Sequence, residues 1–240
     1  IKNRNYKVVD EIFIQNKDVA NYHIGLINLK IINKYFQNQL DSVNIYLEHL
    51  YKIPQGLANA KLASTYKTLI AQREMLDQTS IPGLRLNILM NLASTYLDID
   101  MNDLSLKYYQ QCIDEDSLYA LSYVYNIVYS FQNEDTTSAL KVYRHMQSAF
   151  STAKFMSKMD SLMILHAQYR NANSSKFRAE VLEGIFDVYE LLGFTTPAIE
   201  AAKKGLLFDP DRISLSKKLG ILYEKEYEYF PALMNLNQYS

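Results

Sequence analysis

Asp98, Asp100 and Asn102 form the chain's nearest approach to a metal-binding word. Alternating carboxylates and amides open a calcium loop because each offers a hard oxygen to one side of a tight turn. Here the pattern fails: Asp103 stands where the sharp turn needs glycine, and Tyr109 where a bidentate glutamate must close the shell. The spacing instead predicts a polar turn between two helices, with Asp or Asn near the cap of the second. His23, His49, His145 and His166 are scattered, with no pair at ligand spacing and none beside a nucleophile and carboxylate. Packing or surface roles are expected for all four. The single cysteine, Cys112, allows neither an intrachain disulfide nor a cysteine-based metal site, and is expected to be a buried structural thiol. The 7 glycines are dispersed and form no phosphate-binding loop. No catalytic, cofactor-binding or metal-binding residue is assigned, and the chain is expected not to be an enzyme.

These residues sit on a chain whose pattern is helical throughout. Only 7 Gly and 5 Pro punctuate 240 residues, and apolar positions recur at helical spacing almost everywhere. Breaks at Pro54-Gln55-Gly56, Pro82-Gly83, Asn133-Glu134-Asp135, Asn171 to Ser175 and Asp209-Pro210-Asp211 separate stretches of ordinary helix length. The predicted helices are 18–37, 40–52, 56–78, 81–98, 102–115, 119–132, 136–150, 154–170, 176–193, 196–208, 213–226 and 229–239, with 1–17 unassigned. Charge is balanced, at 25 basic and 26 acidic residues, which argues against nucleic acid as a partner. The segment Ile213 to Ile221 could pass for a DNA-reading helix, but its repeat spacing favours a scaffold helix. No apolar run is long enough to span a bilayer, so no membrane insertion is expected. A start at Ile1 reads as a processed or excised segment, and the compartment is left open.

Internal repetition supplies the organisation. Leu62-Ala63-Ser64-Thr65-Tyr66 and Leu92-Ala93-Ser94-Thr95-Tyr96 are the same word. Tyr189 and Tyr223 lie 34 residues apart, as do Ala198 and Ala232. The stretch from Ala179 carries Leu182, Ile185, Phe186, Tyr189, Ala198, Ala202, Gly205 and Pro210. The next carries Leu219, Gly220, Tyr223, Ala232 and Leu236, and one from Leu86 carries Leu89, Leu92, Ala93, Tyr96, Ser105, Tyr109 and Cys112. This pattern resembles the tetratricopeptide repeat (TPR) family, whose period is 34 residues. The resemblance is good over 86–118 and 179–240 and fair over 119–150, where the Tyr129-to-Ala139 spacing is one residue long. It is loose over 18–52, and the helices at 56–78 and 154–170 have no place in the repeat.

The resemblance implies an all-α fold: a right-handed α-α superhelix, a solenoid of antiparallel helical hairpins in a single domain over 1–240. It also implies a protein–protein interaction scaffold that binds a peptide or protein on its concave surface, in the setting of a sensory or regulatory segment of a larger bacterial protein. The exposed positions of the first helices then become candidate partner-binding residues. In the repeat from Ala179 they are Glu180, Glu183, Asp187 and Glu190, an acidic face within an arc of about 80°. In the two preceding repeats they are Met90 and Leu97, then Tyr123 and Ile127. An apolar groove beside an acidic wall suits an amphipathic or basic peptide. The alternative is a module for a small molecule or lipid, held in a closed apolar cavity near Met90 and Tyr123.

Overall fold

The computed structural model describes residues 6–15, 24–52, 56–150 and 155–225, and these are helical with short connections. The helices are α1 (Tyr6–Gln15), α2 (Ile24–Phe36), α3 (Leu40–Lys52), α4 (Gly56–Gln78), α5 (Pro82–Leu97) and α6 (Asn102–Glu115). They continue with α7 (Ala120–Gln132), α8 (Thr136–Phe150), α9 (Met156–Asn171), α10 (Ser175–Leu192), α11 (Thr195–Phe208) and α12 (Ile213–Lys225). The helix expected over 229–239, with Ala232 and Leu236, lies outside the described residues, as does His23. Two compact units divide the chain, 1–116 and 117–240.

Sequential neighbours pack together in each unit. In the first, α2 packs on α3 and α5 on α6, with α4 between the two hairpins. In the second, α7 packs on α8 and α10 on α11, with α9 before α10 and α12 after α11. Four hairpins share one turn. Asn38, Asp100, Glu134 and Gly193 have φ of 60°, 56°, 59° and 80°, and each closes the helix before it. Around Gly193, its own N–H bonds to Glu190 O, and Phe194 N–H reaches back to Tyr189 O. The same two bonds recur at Asn38 (to Tyr35 and Lys34), Asp100 (to Leu97 and Tyr96) and Glu134 (to Phe131 and Ser130). This left-handed closure satisfies carbonyls that the helix end leaves open. Asp100 thus ends α5, whereas the residue capping α6 is Met101, which makes no side-chain cap bond. The turn expected there exists: Asn102 opens α6 and Asp103 lies in its first turn, while Asp100 serves the helix before it.

The shared turn fixes a common frame. Lys34, Tyr96, Ser130 and Tyr189 accept the long return bond, and nine residues after each comes a buried residue of the second helix: Val43, Ser105, Ala139 and Ala198. In α11 that side of the helix is Ala198, Ala202 and Gly205, all buried. The approach there is close: a Cβ on Gly205 would lie 2.5 Å from Leu215 Cδ2 and 3.5 Å from Leu182 Cβ. Small residues on the second helix let three helices meet, as expected from the sequence. Leu182, Ile185, Phe186 and Tyr189 fill the space they leave. Cys112 takes the position of Gly205 in the α5–α6 hairpin; it is buried, and burial pushes its thiol up to about 12.

Both units therefore repeat one order: hairpin, single helix, hairpin. The single helices α4 and α9 occupy the same register, since Tyr66 and Leu69 precede Tyr96 by the spacings at which Met159 and Leu162 precede Tyr189, and all four are buried. The identical words ending at Tyr66 and Tyr96 therefore play different parts, one on a single helix and one on a hairpin. Both rings converge on Tyr35, each with its centroid 6.3 Å away. The Tyr35 and Tyr96 hydroxyls are hydrogen-bonded, and the Arg73 guanidinium lies 5.0 Å from the Tyr35 ring centre.

Candidate functional site

The acidic face anticipated on α10 exists, and most of it is occupied from within the chain. Glu180 is exposed. Glu183 accepts from Arg212 at 2.6 Å, from Lys218 at 3.1 Å and from Ser214 at 3.1 Å. Asp187 accepts from Lys218 at 2.6 Å, and Glu190 from Lys225 at 2.8 Å. A carboxylate every three or four residues on α10 thus meets a cation on or just before α12. Burial alone would raise the Glu183 carboxyl, but the bonds from Arg212, Lys218 and Ser214 outweigh it and hold the group below the ordinary range. The basic groups that Glu183, Asp187 and Glu190 attract are the chain's own, so the expectation of a wall open to a basic peptide is corrected at those three residues, and Glu180 stays exposed. Replacing Glu183 by Gln should cost about 1–2 kcal/mol in urea unfolding, because its charge-assisted bonds are only partly solvated. That cost should be lost as pH falls through the carboxylate range, where the native residue is itself protonated.

Tyr123 and Ile127 are also corrected. Both are fully buried at 0% exposure. Counting from Tyr129 puts them on the exposed face, but the turn at Glu134 makes Ser130 the equivalent of Tyr96 and Tyr189. Counted from Ser130, Tyr123 and Ile127 stand where Leu182 and Phe186 stand in α10, which are packing positions. The one-residue misfit between Tyr129 and Ala139 was the signal. Met90 and Leu97 lie on α5 in the first unit and are half-buried. They lie in a different unit from the acidic residues.

A feature not anticipated from the sequence lies in the second unit. A cleft of about 710 Å³ opens between α9 and α11 over α10. One wall is His166, Tyr169 and Arg170; the other is Glu200, Ala201, Lys203, Lys204 and Leu207. Leu182, Ile185 and Tyr189 form its floor, and the turn with Phe131 and Glu134 its end. Each wall uses residues three or four apart, so each is one face of a helix. Leu207 is 82% exposed at the lip. Lys204 pairs with Glu134 at 3.0 Å and lies 5.5 Å from the Tyr169 ring centre. The cleft is within the size range of ligand sites in proteins.

His166 joins the cleft to the core. Its ring stacks on Phe131, with centroids 3.7 Å apart and planes within 1°, and Nε2 lies 3.1 Å from the Tyr189 hydroxyl. Burial first, and then the nearby Lys204 charge, lowers its pKa to about 3. The ring is neutral in the folded protein, whereas an unfolded histidine protonates near pH 6.5. Stability should therefore fall as pH drops below about 6.5, by at most about 1.4 kcal/mol per pH unit. His166→Phe should flatten that acid slope in a series of urea midpoints. An unchanged slope would show that the histidine is solvated.

No protein-family model matches the chain, and no curated protein matches it. Solved structures do. A tetratricopeptide repeat protein from Parabacteroides merdae is 14% identical over 90% of this chain and 91% of its own, with a TM-score of 0.42. MamA is 16% identical over 77% of this chain and 93% of its own, with a TM-score of 0.33. A structure of the APC/C hetero-tetramer Cut9-Hcn1 is 12% identical over 98% of this chain and 43% of its own, with a TM-score of 0.31. Likeness at that level carries no weight beside the chain's own geometry. What decides the architecture is the recurring turn with its buried second-helix positions, and the 34 residues that separate Tyr96 from Ser130. The hairpins are tetratricopeptide-like. No helix among the described residues is long and apolar enough to cross a membrane.

Proposed function

We propose that this chain is a protein-interaction scaffold that works by binding rather than by catalysis. The observation that carries the reading is the cleft between α9 and α11, where the exposed Leu207 stands beside Arg170, Lys203 and Lys204 over an apolar floor. Helical repeats are rigid in one dimension and present such surfaces at fixed spacing, so they suit recognition of another chain. An exposed leucine ringed by charge is also the composition of a contact surface, with an apolar centre and a polar rim. The test is a stoichiometric complex isolated with the full chain from the native organism. Leu207→Asp should lose that complex while keeping its helix content and unfolding midpoint. Retention of every bound protein by the variant would remove the cleft from the account, and absence of any specific complex would remove the scaffold reading.

The second reading, a small-molecule module, now rests on the same cleft, whose volume also suits a compact organic ligand. It predicts a rise in melting temperature with a small-ligand panel, without any protein partner.

A further inference from the structure

The two units place equivalent residues around equivalent points. Arg73 of α4 and His166 of α9 each precede the return-bond tyrosine, Tyr96 or Tyr189, by the same number of residues. Each lies against the ring that follows the corresponding turn acceptor, Arg73 on Tyr35 and His166 on Phe131. Each belongs to a cluster containing that tyrosine: His166 meets the Tyr189 hydroxyl directly, and Tyr35 links Arg73 to Tyr96.

The wall from the next helix differs. In the first unit Tyr108 of α6 stacks on Tyr96, with centroids 5.3 Å apart and planes 11° apart. The residue at that position in α11 is Ala201, which lines the cleft. The α11 wall of the second unit therefore lacks that phenol ring, while its α9 wall carries Tyr169 at the position of Leu76 in the first unit. The rim changes with it. Asp77 and Asp114 of the first unit correspond to Arg170 and Leu207 of the second, and Gln110 and Gln111 to Lys203 and Lys204. Around the cleft three cations stand against two carboxylates, Glu134 and Glu200, and Glu134 is already paired with Lys204.

We infer that the cleft accepts an aromatic side chain of a partner protein, entering over Ala201, with acidic residues beside it in the partner's sequence meeting Arg170 and Lys203. This deepens the scaffold reading and rests on it. The ring takes the place that Tyr108 fills in the first unit, and Leu207 covers its outer edge. Aromatic rings bury large area at low entropic cost and are enriched at the centres of interfaces, while the cations at the mouth supply charge selectivity. The partner chemistry is thus acidic and aromatic, opposite in charge to that expected from the α10 face alone.

The experiment uses the full chain and a fluorescent peptide, Gly-Ser-Asp-Glu-Tyr-Asp-Glu-Ser-Gly, followed by anisotropy. Binding should weaken at least about tenfold when the peptide's Tyr becomes Ala, which corresponds to about 1.4 kcal/mol. It should weaken at least as much in Ala201→Tyr, where the protein supplies the ring itself. The first unit already carries a tyrosine at this position, so the variant has a precedent within the fold; its melting curve checks that it folds. Leu207→Asp serves as a second variant and should weaken binding similarly, while Arg170→Glu should weaken it several-fold and reduce its salt dependence. Affinity unchanged by both Ala201→Tyr and Leu207→Asp overturns the inference, as does no binding of this peptide at millimolar concentration. N-acetyl-tyrosine amide binding as tightly as the peptide overturns the protein partner and leaves a small-ligand site. A protein complex that forms with wild type and Ala201→Tyr alike keeps the scaffold reading and removes only the cleft's role in it.

Discussion

Raising the pH above about 10 is expected to unfold the protein cooperatively, with phenolate absorbance and loss of helix rising together. Tyr66, Tyr96 and Tyr189 are buried. Burial is the leading cause that raises each above the ordinary tyrosine range, reinforced at Tyr66 and Tyr96 by the neighbouring Tyr35. Unfolded tyrosines lose their protons near pH 10, while these three hold theirs in the folded state. Above that pH the folded state binds more protons, so stability declines by about 1.4 kcal/mol per pH unit for each buried phenol. The two in the first unit together give about 3 kcal/mol per pH unit, against a total domain stability of about 5–15 kcal/mol. Two or three pH units should thus suffice to unfold it. Titration of every tyrosine with an ordinary midpoint, while the helices persist, would show that the cluster is open to water.

Leu92→Ala is expected to cost about 2–5 kcal/mol, and Leu219→Ala a similar amount, read as the shift in urea midpoint at constant slope. Leu92 is fully buried in the cluster that includes Tyr35, Tyr66, Leu69 and Tyr96, so its removal opens a cavity among four helices. Leu219 is buried on α12 at the matching position of its repeat. Leu207→Ala, by contrast, should change stability by less than about 0.5 kcal/mol, because the side chain is almost wholly exposed. A large effect at Leu207 with a small one at Leu92 would invert the assignment of core and surface.

Helix existence was legible because apolar periodicity and turn residues act locally. The ends of α3, α4, α6 and α8 coincide with those read from the sequence, and α5, α7 and α10 differ by a residue. The segment containing α1 carries no clear apolar period. Second-helix positions such as Ser105, Ala198 and Gly205 were legible for a physical reason: close helix approach leaves little choice of residue. The frame of α7 was not, because Tyr125 and Tyr129 look like core tyrosines. In the structure both are half-buried and pack edge-on against Phe194, at 4.9 and 6.1 Å between centroids, while smaller Asn126 and Ser130 face inward. Only the turn at Glu134 fixes that register, and a positive φ at a glutamate has no clear mark in the sequence.

The site was harder to read than the fold. Charge on α10 was visible as a stripe, but its partners lie 29 to 35 residues away, on or just before α12. The cleft depends on Ala201, an unremarkable alanine until Tyr108 is seen at the same place in the first unit. His166 packs, as one of the two roles expected for it, and its stack on Phe131 arises only when α9 is placed as the single helix between two hairpins.

The most direct test of the scaffold account replaces Leu207 with a photo-crosslinking phenylalanine analogue in the full chain, expressed in its native organism. The same analogue at Leu140, a partly exposed position on α8 that does not line the cleft, serves as the control. The account predicts a discrete protein adduct from position 207 that is absent from position 140. No adduct from 207, or the same adducts from both positions, would contradict a protein partner docking at the cleft.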